Sequence, residues 1–312
     1  MSKARFLVIR GGAIGDFIMT LPAIGALRER WPEAHIEILG YPHIIELAHR
    51  RYYADEIRSI EARAMAGFFV PNGELDQELV AYFASFHVVV SYLYDPDEIF
   101  AANIRRCGVR QYLACSPRVS NIPAAEHYCR PLESLAVYVT NPCPRVFPNE
   151  ADRAAADRLL GAWGKERLAL VHPGSGSPRK NWPVEKFATL ARWLTEQLGY
   201  RVLVLEGEAD YDVARQLERQ IASLPVQWVR GLRLVEVAAV MERCRLYVGN
   251  DSGPTHLAAA AGAPTVAIFG PVSSAVWRPR GAHVRVVAMQ DGDEELVRQA
   301  ARELTATASS AT

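Results

Sequence analysis

The segment YVGNDSGPTHLAAAAGAPTVAIFGP, residues 247–271, indicates the fold more clearly than any other part of the chain. Its first apolar residues predict a buried strand, and Pro254 is favoured in the first turn of a helix. The run of alanines favours a thin, closely packed helix, which Gly262 and Pro264 end before a second apolar strand begins. The stretch therefore predicts a strand, helix, strand unit of a parallel sheet.

The start of this predicted helix can bind an anion. Unpaired backbone N–H groups and the positive end of the helix dipole lie there, at the carboxyl edge of the sheet. Ser252, Gly253 and Thr255 are the residues that could contact a phosphate. In the alternative interpretation, Asp251 or Ser252 only caps the helix, and Thr255 and His256 only cover its first turn. The rest of the chain decides between the two.

Composition bounds the class of protein. The chain has 312 residues, of which half are hydrophobic and 22% are charged, and this length suits two domains of roughly 150 residues each. The 35 basic residues balance the 35 acidic ones, which argues against a nucleic-acid-binding protein. No apolar run approaches the roughly 20 residues that cross a bilayer, and the first residues show no signal-peptide cleavage pattern. We therefore expect a cytoplasmic protein without a transmembrane segment.

Two patterns in the first half bear on metal binding. Four of the five cysteines, at positions 107, 115, 129 and 143, have no close partner in the sequence, which favours reduced thiols over a zinc site. Asp95 and Asp97 follow a predicted strand, as do the acids that hold a divalent metal in one class of sugar transferases. The proline between them fits a plain turn and helix start equally well, and we expect no metal site.

The amino-terminal half begins with a predicted strand at residues 5–10, a glycine loop and a helix. The loop lacks the P-loop pattern, and Arg10 stands where the first glycine of a dinucleotide-binding loop should be. Glu37 follows at about the distance of a ribose-binding acid, so a nicotinamide enzyme stays an alternative. Asp16 lies in the first turn of the helix, where it is either a capping acid or a base that faces the crevice.

The carboxyl-terminal half repeats this order. A proline-rich segment, residues 141–148, marks the predicted boundary between domains 1–148 and 149–312. A new strand then leads into a polar loop with Gly174 and Ser175, and Lys180 is a point charge close behind. Two such halves predict an α/β protein with two doubly wound domains that face each other across a cleft. The final amphipathic helix could pack back on the amino-terminal domain.

Several motifs carry a resemblance to a known family. They are His172-Pro-Gly-Ser with Lys180-Asn-Trp-Pro, the run from Gly249 to Gly262, Phe269-Gly-Pro, and Gly12-Ala-Ile-Gly-Asp near the start. Together they closely resemble the lipopolysaccharide heptosyltransferase family of sugar transferases, glycosyltransferase family 9. The resemblance covers both halves, although residues 50–140 match poorly. It implies a GT-B type fold with two Rossmann-like domains, an ADP-heptose donor and inversion at the anomeric carbon without a metal or other cofactor.

The resemblance also implies roles for single residues. Asp16 would act as general base and Lys180 would neutralise the departing diphosphate. Glu208 matches a position suited to the ribose hydroxyls. The donor-binding residues implied in this way are Gly15, Gly174, Ser175, Lys180, Glu208, Asp251, Ser252, Gly253, Pro254, Thr255 and His256.

The implied acceptor is the inner core of lipopolysaccharide, a glycan or lipid-linked partner that places the enzyme at the cytoplasmic face of the inner membrane, with peripheral contact. Candidate acceptor-binding residues are Arg58, Arg63, Arg105 and Arg106. One alternative keeps the chemistry but changes the acceptor to a small natural product or a protein, or changes the nucleotide-sugar. Another alternative is a nucleotide-sugar-binding homologue without catalysis.

Overall fold

A computed structural model describes residues 3–270 and 274–309, and the side chains of residues 3–270 and 274–306. The chain divides into two compact units, Met1–Phe147 (unit 1) and Pro148–Thr312 (unit 2). The division falls inside the proline-rich segment, one residue before the predicted start of the second domain.

Unit 1 is built on a parallel sheet of five strands in the order β3-β2-β1-β4-β5. The chain leaves β1 toward β2 on one side and reaches β4 on the other, so the order reverses between β1 and β4. The strands are β1 Arg5–Arg10, β2 His35–Gly40, β3 Glu56–Ser59, β4 Val88–Ser91 and β5 Gln111–Ala114. The α-helices are α1 Ile14–Arg30, α2 Pro42–Ile45, α3 Gln77–Ala84, α4 Ile99–Arg106 and α5 Ala124–Cys129.

Unit 2 is built on a parallel sheet of six strands in the order β11-β10-β9-β6-β7-β8. The strands are β6 Leu168–His172, β7 Arg201–Leu205, β8 Val226–Val229, β9 Leu246–Asn250, β10 Thr265–Phe269 and β11 Val284–Ala288. The α-helices are α6 Glu150–Leu160, α7 Val184–Glu196, α8 Tyr211–Gln220, α9 Leu234–Glu242, α10 Gly253–Ala260, α11 Ser274–Trp277 and α12 Asp293–Ser309.

The segment that begins at Tyr247 forms most of β9, then α10 and β10, as predicted. Both strands are buried along their whole length, which is typical of parallel strands covered by helices on both faces. Gly262 follows the end of α10 and has a φ of +85°, a backbone conformation that glycine adopts without steric cost. Pro271, the last residue of the stretch, lies outside the described residues.

Each unit has its own hydrophobic core. In unit 1, the core joins Leu7 and Ile9 of β1 to Phe68, Phe83 and other buried side chains. In unit 2, the final helix α12 contributes buried residues to the core beneath β9 and β10, which are Val297, Ala300, Ala301 and Leu304. The described apolar face of α12 therefore stabilises unit 2 itself; packing of this helix on the amino-terminal domain stays a prediction.

The five cysteines do not form disulfides with one another. In residues 3–270 and 274–309, His, Cys, Asp and Glu side chains form no group of three or more that could hold a metal ion. Across the same part of the chain, none of the helices has both the length and the apolar character that spanning a membrane requires.

Candidate active site

The two carboxyl-half motifs meet at one edge of the sheet of unit 2. The loop after β6 and the loop after β9 leave neighbouring strands, because β6 pairs with β9. From this pair the chain continues to β7 on one side and to β10 on the other. Such a reversal of strand order opens a crevice at the carboxyl ends of the strands, which is where open α/β sheets bind ligands.

Asn250 joins the two loops. This last residue of β9 is fully buried, and its Oδ1 accepts a hydrogen bond from the backbone N–H of Trp182 at 2.9 Å. Its Nδ2 donates to the carbonyl oxygens of Pro173 at 2.8 Å and Gly174 at 3.3 Å. The side chain thus satisfies backbone groups of the β6 loop that burial would otherwise leave without partners. Sequence reasoning missed this role, although an amide at the end of an apolar strand was a signal for it.

Lys180 lies beside the start of α10. Its Nζ is 2.8 Å from Oδ2 of Asp251, two residues before the helix begins. The Asp251 side chain is almost fully buried, whereas one-third of the Lys180 side chain is exposed. The ion pair therefore fixes a positive charge next to the helix start and leaves part of the lysine accessible to a ligand.

Some polar groups in the first turn of α10 already have hydrogen-bond partners within the protein. The Thr255 hydroxyl donates to the carbonyl oxygen of Asn250, and it accepts from the Tyr247 hydroxyl at 3.1 Å. The Thr255 N–H donates to the carbonyl oxygen of Ser252 at 3.2 Å, and Pro254 has no N–H. Of the predicted donor-binding residues in this turn, Pro254 therefore offers no N–H to a ligand, and Thr255 uses its own N–H within the turn.

The remaining predicted donor residues of unit 2 lie around this edge. His256 is buried in the first turn of α10. The Ser175 hydroxyl is 2.7 Å from both the carbonyl oxygen of Ser177 and Oδ1 of Asn181, so it braces the β6 loop. Glu208 is exposed in the turn between β7 and α8, where it is accessible to a ligand.

A buried histidine and aspartate pair lies under the β6 loop, and sequence reasoning did not predict it. His172 is the last residue of β6, and its Nε2 is 2.8 Å from Oδ2 of Asp210. Burial alone would raise the pKa of the Asp210 carboxyl, but the hydrogen bond and charge of His172 and the N–H of Gly207 outweigh burial and lower it. A Cβ on Gly174 would lie only 1.7 Å from Oδ1 of Asp210, so this carboxylate packs directly on the loop backbone.

Asp16 lies at the corresponding edge of unit 1. Its Oδ1 is 3.1 Å from Nη2 of Arg10, and its Oδ2 accepts a hydrogen bond from the Ala13 N–H at 3.1 Å. The Arg10 side chain is buried and also donates to the carbonyl oxygen of Tyr92 at 3.1 Å. Asp16 therefore caps the start of α1 and pairs with a buried arginine, while 29% of its side chain is exposed. Gly15 precedes it in the same turn.

Arg10 has a role in the structure that the sequence did not predict. It looked like a mere departure from the dinucleotide-binding pattern, yet its guanidinium holds the Asp16 carboxylate at the carboxyl edge of the sheet. Glu37 lies in the middle of β2, where it accepts hydrogen bonds from Arg5 and Tyr82, rather than at the carboxyl end where a ribose-binding acid is needed. The nicotinamide alternative has no support from this placement.

The pattern Asp95-Pro-Asp97, considered above as a metal site, has a structural role instead. The Asp95 carboxylate accepts hydrogen bonds from the N–H groups of Phe100 at 3.1 Å and Ala101 at 2.9 Å. Both carboxylate oxygens thus cap α4, which is the turn and helix start that the intervening proline suggested.

The candidate acceptor arginines do not form one surface. Arg105 forms an ion pair with Glu98 at 3.1 Å, and Arg106 donates to Oδ1 of Asn103 at 2.8 Å and to the carbonyl oxygen of Gly73. Both lie at the end of α4. Helix α4 runs back from the carboxyl edge of the sheet toward the start of β5. Both arginines therefore lie at the edge formed by the amino ends of the strands.

The other two candidates lie near the carboxyl end of β3. Arg58 is exposed on β3, with its guanidinium carbon 4.1 Å from the ring centroid of Tyr82. Arg63 is exposed at the start of the 3₁₀ helix Arg63–Phe69. The structure thus divides the four arginines into two pairs at different places in unit 1.

The fold and the site define a class of protein. Two doubly wound parallel-sheet domains are typical of the GT-B class of glycosyltransferases, and in the second domain of this chain a lysine is fixed beside a helix start at the switch point. Residues 130–305 match the sequence model of glycosyltransferase family 9 (heptosyltransferase). The match covers more than half of the chain, and this protein belongs to that family.

Individual relatives agree with this assignment. The chain is 24% identical over 287 residues to lipopolysaccharide heptosyltransferase 3 of Escherichia coli strain K12, covering 85% of this chain and 82% of that protein. Its fold is similar to a solved structure of a family 9 glycosyl transferase from Veillonella parvula, with a TM-score of 0.79, 23% identity and 97% of each chain covered. It is also similar to that of E. coli ADP-heptose lps heptosyltransferase II, with a TM-score of 0.77, 18% identity, and 98% and 99% covered. The predicted GT-B fold class is confirmed.

Proposed function

We propose that this chain transfers a heptose from ADP-heptose to a hydroxyl of a lipopolysaccharide inner-core acceptor, with inversion at the anomeric carbon and without a metal or other cofactor. The names of the relatives support the sugar, the donor and the acceptor, since one is a lipopolysaccharide heptosyltransferase and another an ADP-heptose enzyme. The observation that carries the proposal is the contact of Lys180 with Asp251 at the start of α10.

The departing ADP develops negative charge on its diphosphate, and unit 2 supplies fixed groups against that charge. Lys180 is held in place by Asp251 and stays partly exposed. The N–H of Gly253 and the positive end of the α10 dipole add to it. Donors that are already oriented cost no reorganisation when the bond to the sugar breaks, which is why they stabilise a transition state efficiently.

Asp16 is the proposed general base. The acceptor hydroxyl forms a bond to the anomeric carbon while the bond from that carbon to the diphosphate oxygen breaks on the opposite face, which inverts the anomeric centre. The hydroxyl proton moves to Oδ2 of Asp16, whose interaction with the Ala13 N–H leaves capacity to accept another hydrogen. Arg10 keeps the carboxylate oriented through Oδ1.

A second candidate keeps this chemistry and changes the acceptor. It is favoured by the placement of Arg105 and Arg106, which have intramolecular partners and lie away from the strand ends. An arginine that does lie at the carboxyl edge of unit 1 is Arg118 in the loop after β5, with its guanidinium carbon 3.9 Å from the ring centroid of Tyr94. An acceptor with an anionic group and an apolar sugar face would suit this pair.

Calorimetric titration in excess chelator tests the donor. The purified protein is titrated in parallel with ADP, UDP, GDP and NAD, and we expect selective binding of ADP. Preference for UDP or GDP would keep the fold and discard the donor, binding that requires a divalent metal would contradict the metal-free proposal, and binding of NAD alone would overturn the proposed function.

A further inference from the structure

Three polar side chains from separate elements of unit 2 form a chain under the donor site. Oδ2 of Asp210, the residue before α8, is 2.8 Å from Nε2 of His172 at the end of β6. Nδ1 of the same ring is 3.3 Å from Oγ of Ser252, the residue before α10. The side chains of His172 and Asp210 are both less than one-tenth exposed.

Ser252 occupies the N-cap position of α10, yet its hydroxyl does not cap the helix. A serine at this position commonly accepts a hydrogen bond from an N–H of the first turn, and here no such bond forms. The hydroxyl lies instead between Nδ1 of His172 and Oγ1 of Thr255, each at 3.3 Å. This placement leaves the Gly253 N–H at the helix start for a ligand and connects the serine to the buried pair.

The hydrogen atoms in this chain can be assigned from their partners. The lowered pKa of Asp210 means that its carboxylate is ionised near neutral pH and only accepts, so Nε2 of His172 carries a hydrogen. In a neutral ring Nδ1 then accepts, and the Ser252 hydroxyl donates to it. If the ring also carries a hydrogen on Nδ1, it donates to Ser252, and the serine hydroxyl is released to donate elsewhere.

We propose that His172 is a positioning residue that takes up a proton from solvent when a diphosphate binds at the start of α10. Nδ1–H then donates to Oγ of Ser252, and the Ser252 hydroxyl donates to a phosphate oxygen. The buried Asp210 carboxylate balances the charge of the ring. This inference rests on the proposed function, because it requires the donor diphosphate at this helix start.

The surrounding charges are consistent with this linkage. The Lys180 and Asp251 ion pair lies on the two flanking loops, and Glu206 after β7 pairs with Arg230 at 2.6 Å. Burial raises the pKa of Tyr247, so this neighbouring phenol stays neutral. Because the complex binds a proton that the free protein does not, diphosphate affinity increases as pH falls.

Calorimetry with ADP in buffers of different ionisation enthalpy tests the inference. The slope of the observed enthalpy against buffer enthalpy gives the proton uptake per bound ADP. We compare the wild type with His172→Gln, whose amide can still donate to Asp210 but offers nothing to Ser252, and with Ser252→Ala, which leaves the buried pair intact. Protonation changes of ADP itself are common to all proteins in the series.

We expect the wild type to take up more proton per ADP than either variant, and each variant to bind ADP roughly tenfold more weakly or worse, because a charge-assisted hydrogen bond is lost. Equal proton uptake in the wild type and in Ser252→Ala would overturn the inference, even if His172→Gln fails to fold. Failure of the wild type to bind ADP would instead contradict the proposed donor; the series is then run with whichever nucleoside diphosphate binds, and the same comparison decides the role of His172.

Discussion

Gly174 shows how a single backbone position controls the site. A Cβ there would lie 1.7 Å from Oδ1 and 2.8 Å from Cβ of Asp210, so the carboxylate or the loop would have to move. Asp210 is itself buried and bonded to His172, which leaves it little room. The absence of a side chain at Gly174 is therefore what lets the β6 loop lie on the buried pair.

Gly174→Ala is expected to lower the free energy of unfolding by about 1–3 kcal/mol, because the added methyl group overpacks a buried contact. It should also weaken ADP binding. Gly176→Ala in the same loop is the matched control, since a Cβ at Gly176 meets nothing within 4 Å. Denaturant unfolding monitored by circular dichroism, together with ADP titration, distinguishes them. Equal stability of the two variants would show that the loop absorbs the clash.

Asp210 makes a pH-dependent contribution to stability. Its pKa in the folded protein lies below the ordinary value of 3.8, so the stability it provides is fully present above that value and is lost as pH falls through the lower folded value. Asp210→Asn lacks this contribution. In acid titrations of unfolding free energy, the difference between the wild type and Asp210→Asn should shrink below about pH 4. A difference that stays constant down to the acid limit would contradict the assigned pKa direction.

At the scale of elements, Asn250 makes the β6 loop and the β9 strand one structure. Three backbone groups of the loop depend on its amide, and all of them are remote in sequence. The loop can hold Lys180 beside α10 only while this connection persists. Rigid placement of a charged group on a loop requires such support from a regular element.

Asn250→Ala is expected to cost about 1–3 kcal/mol of unfolding free energy, because buried backbone groups lose their partners. We also expect ADP affinity to be reduced at a temperature where the variant is still folded, because the donor site depends on the loop. Asn121→Ala, at an exposed position of unit 1, serves as the control for removing an amide side chain. Thermal unfolding and ADP titration of both variants measure the effect. Unchanged ADP affinity in folded Asn250→Ala would contradict the prediction that donor binding depends on the contacts between Asn250 and the β6 loop.

The elements themselves were largely predictable from the sequence. Periodicity, Pro254 and Gly262 identified the strand, helix, strand unit, and the glycine loops identified the starts of both halves. The contacts between elements were not predictable, since they join residues that are far apart in the sequence. His172, for example, contacts Asp210 and Ser252, which are 38 and 80 residues away. A sequence pattern shows that a residue ends a strand, but it does not show which side chain lies beside it in the folded sheet.

The candidate site was likewise predictable only in part. The motif residues Lys180 and Asp251 could be chosen from the sequence, whereas their ion pair depends on which strands are neighbours. The role of Arg10 was not predicted, because its burial against Tyr92 is not visible in the sequence. The four candidate arginines were chosen for charge alone, and charge gives no information about which edge of a sheet a residue occupies.

At the scale of the whole molecule, each unit has its own sheet and core, and the residues proposed to hold the donor diphosphate lie in unit 2. ADP should therefore protect a limited part of the chain in hydrogen exchange. We expect slower exchange in residues 173–183 and 250–256, because the ligand contacts these loops and reduces their opening. Mass spectrometry of peptides with and without ADP gives the map. Protection confined to unit 1 would contradict the placement of the donor.

The proposed role of Asp16 as the base in a metal-free heptosyl transfer is tested by measuring the transfer itself. Wild type, Asp16→Asn and the exposed control Asp97→Asn are incubated with ADP-heptose and heptose-free lipopolysaccharide core in excess chelator, and the product is quantified by mass spectrometry. We expect transfer by the wild type and Asp97→Asn, and a loss of roughly 10²–10⁴-fold in Asp16→Asn with ADP binding nearly unchanged. Full activity of Asp16→Asn, or transfer only when a metal is restored, would contradict it.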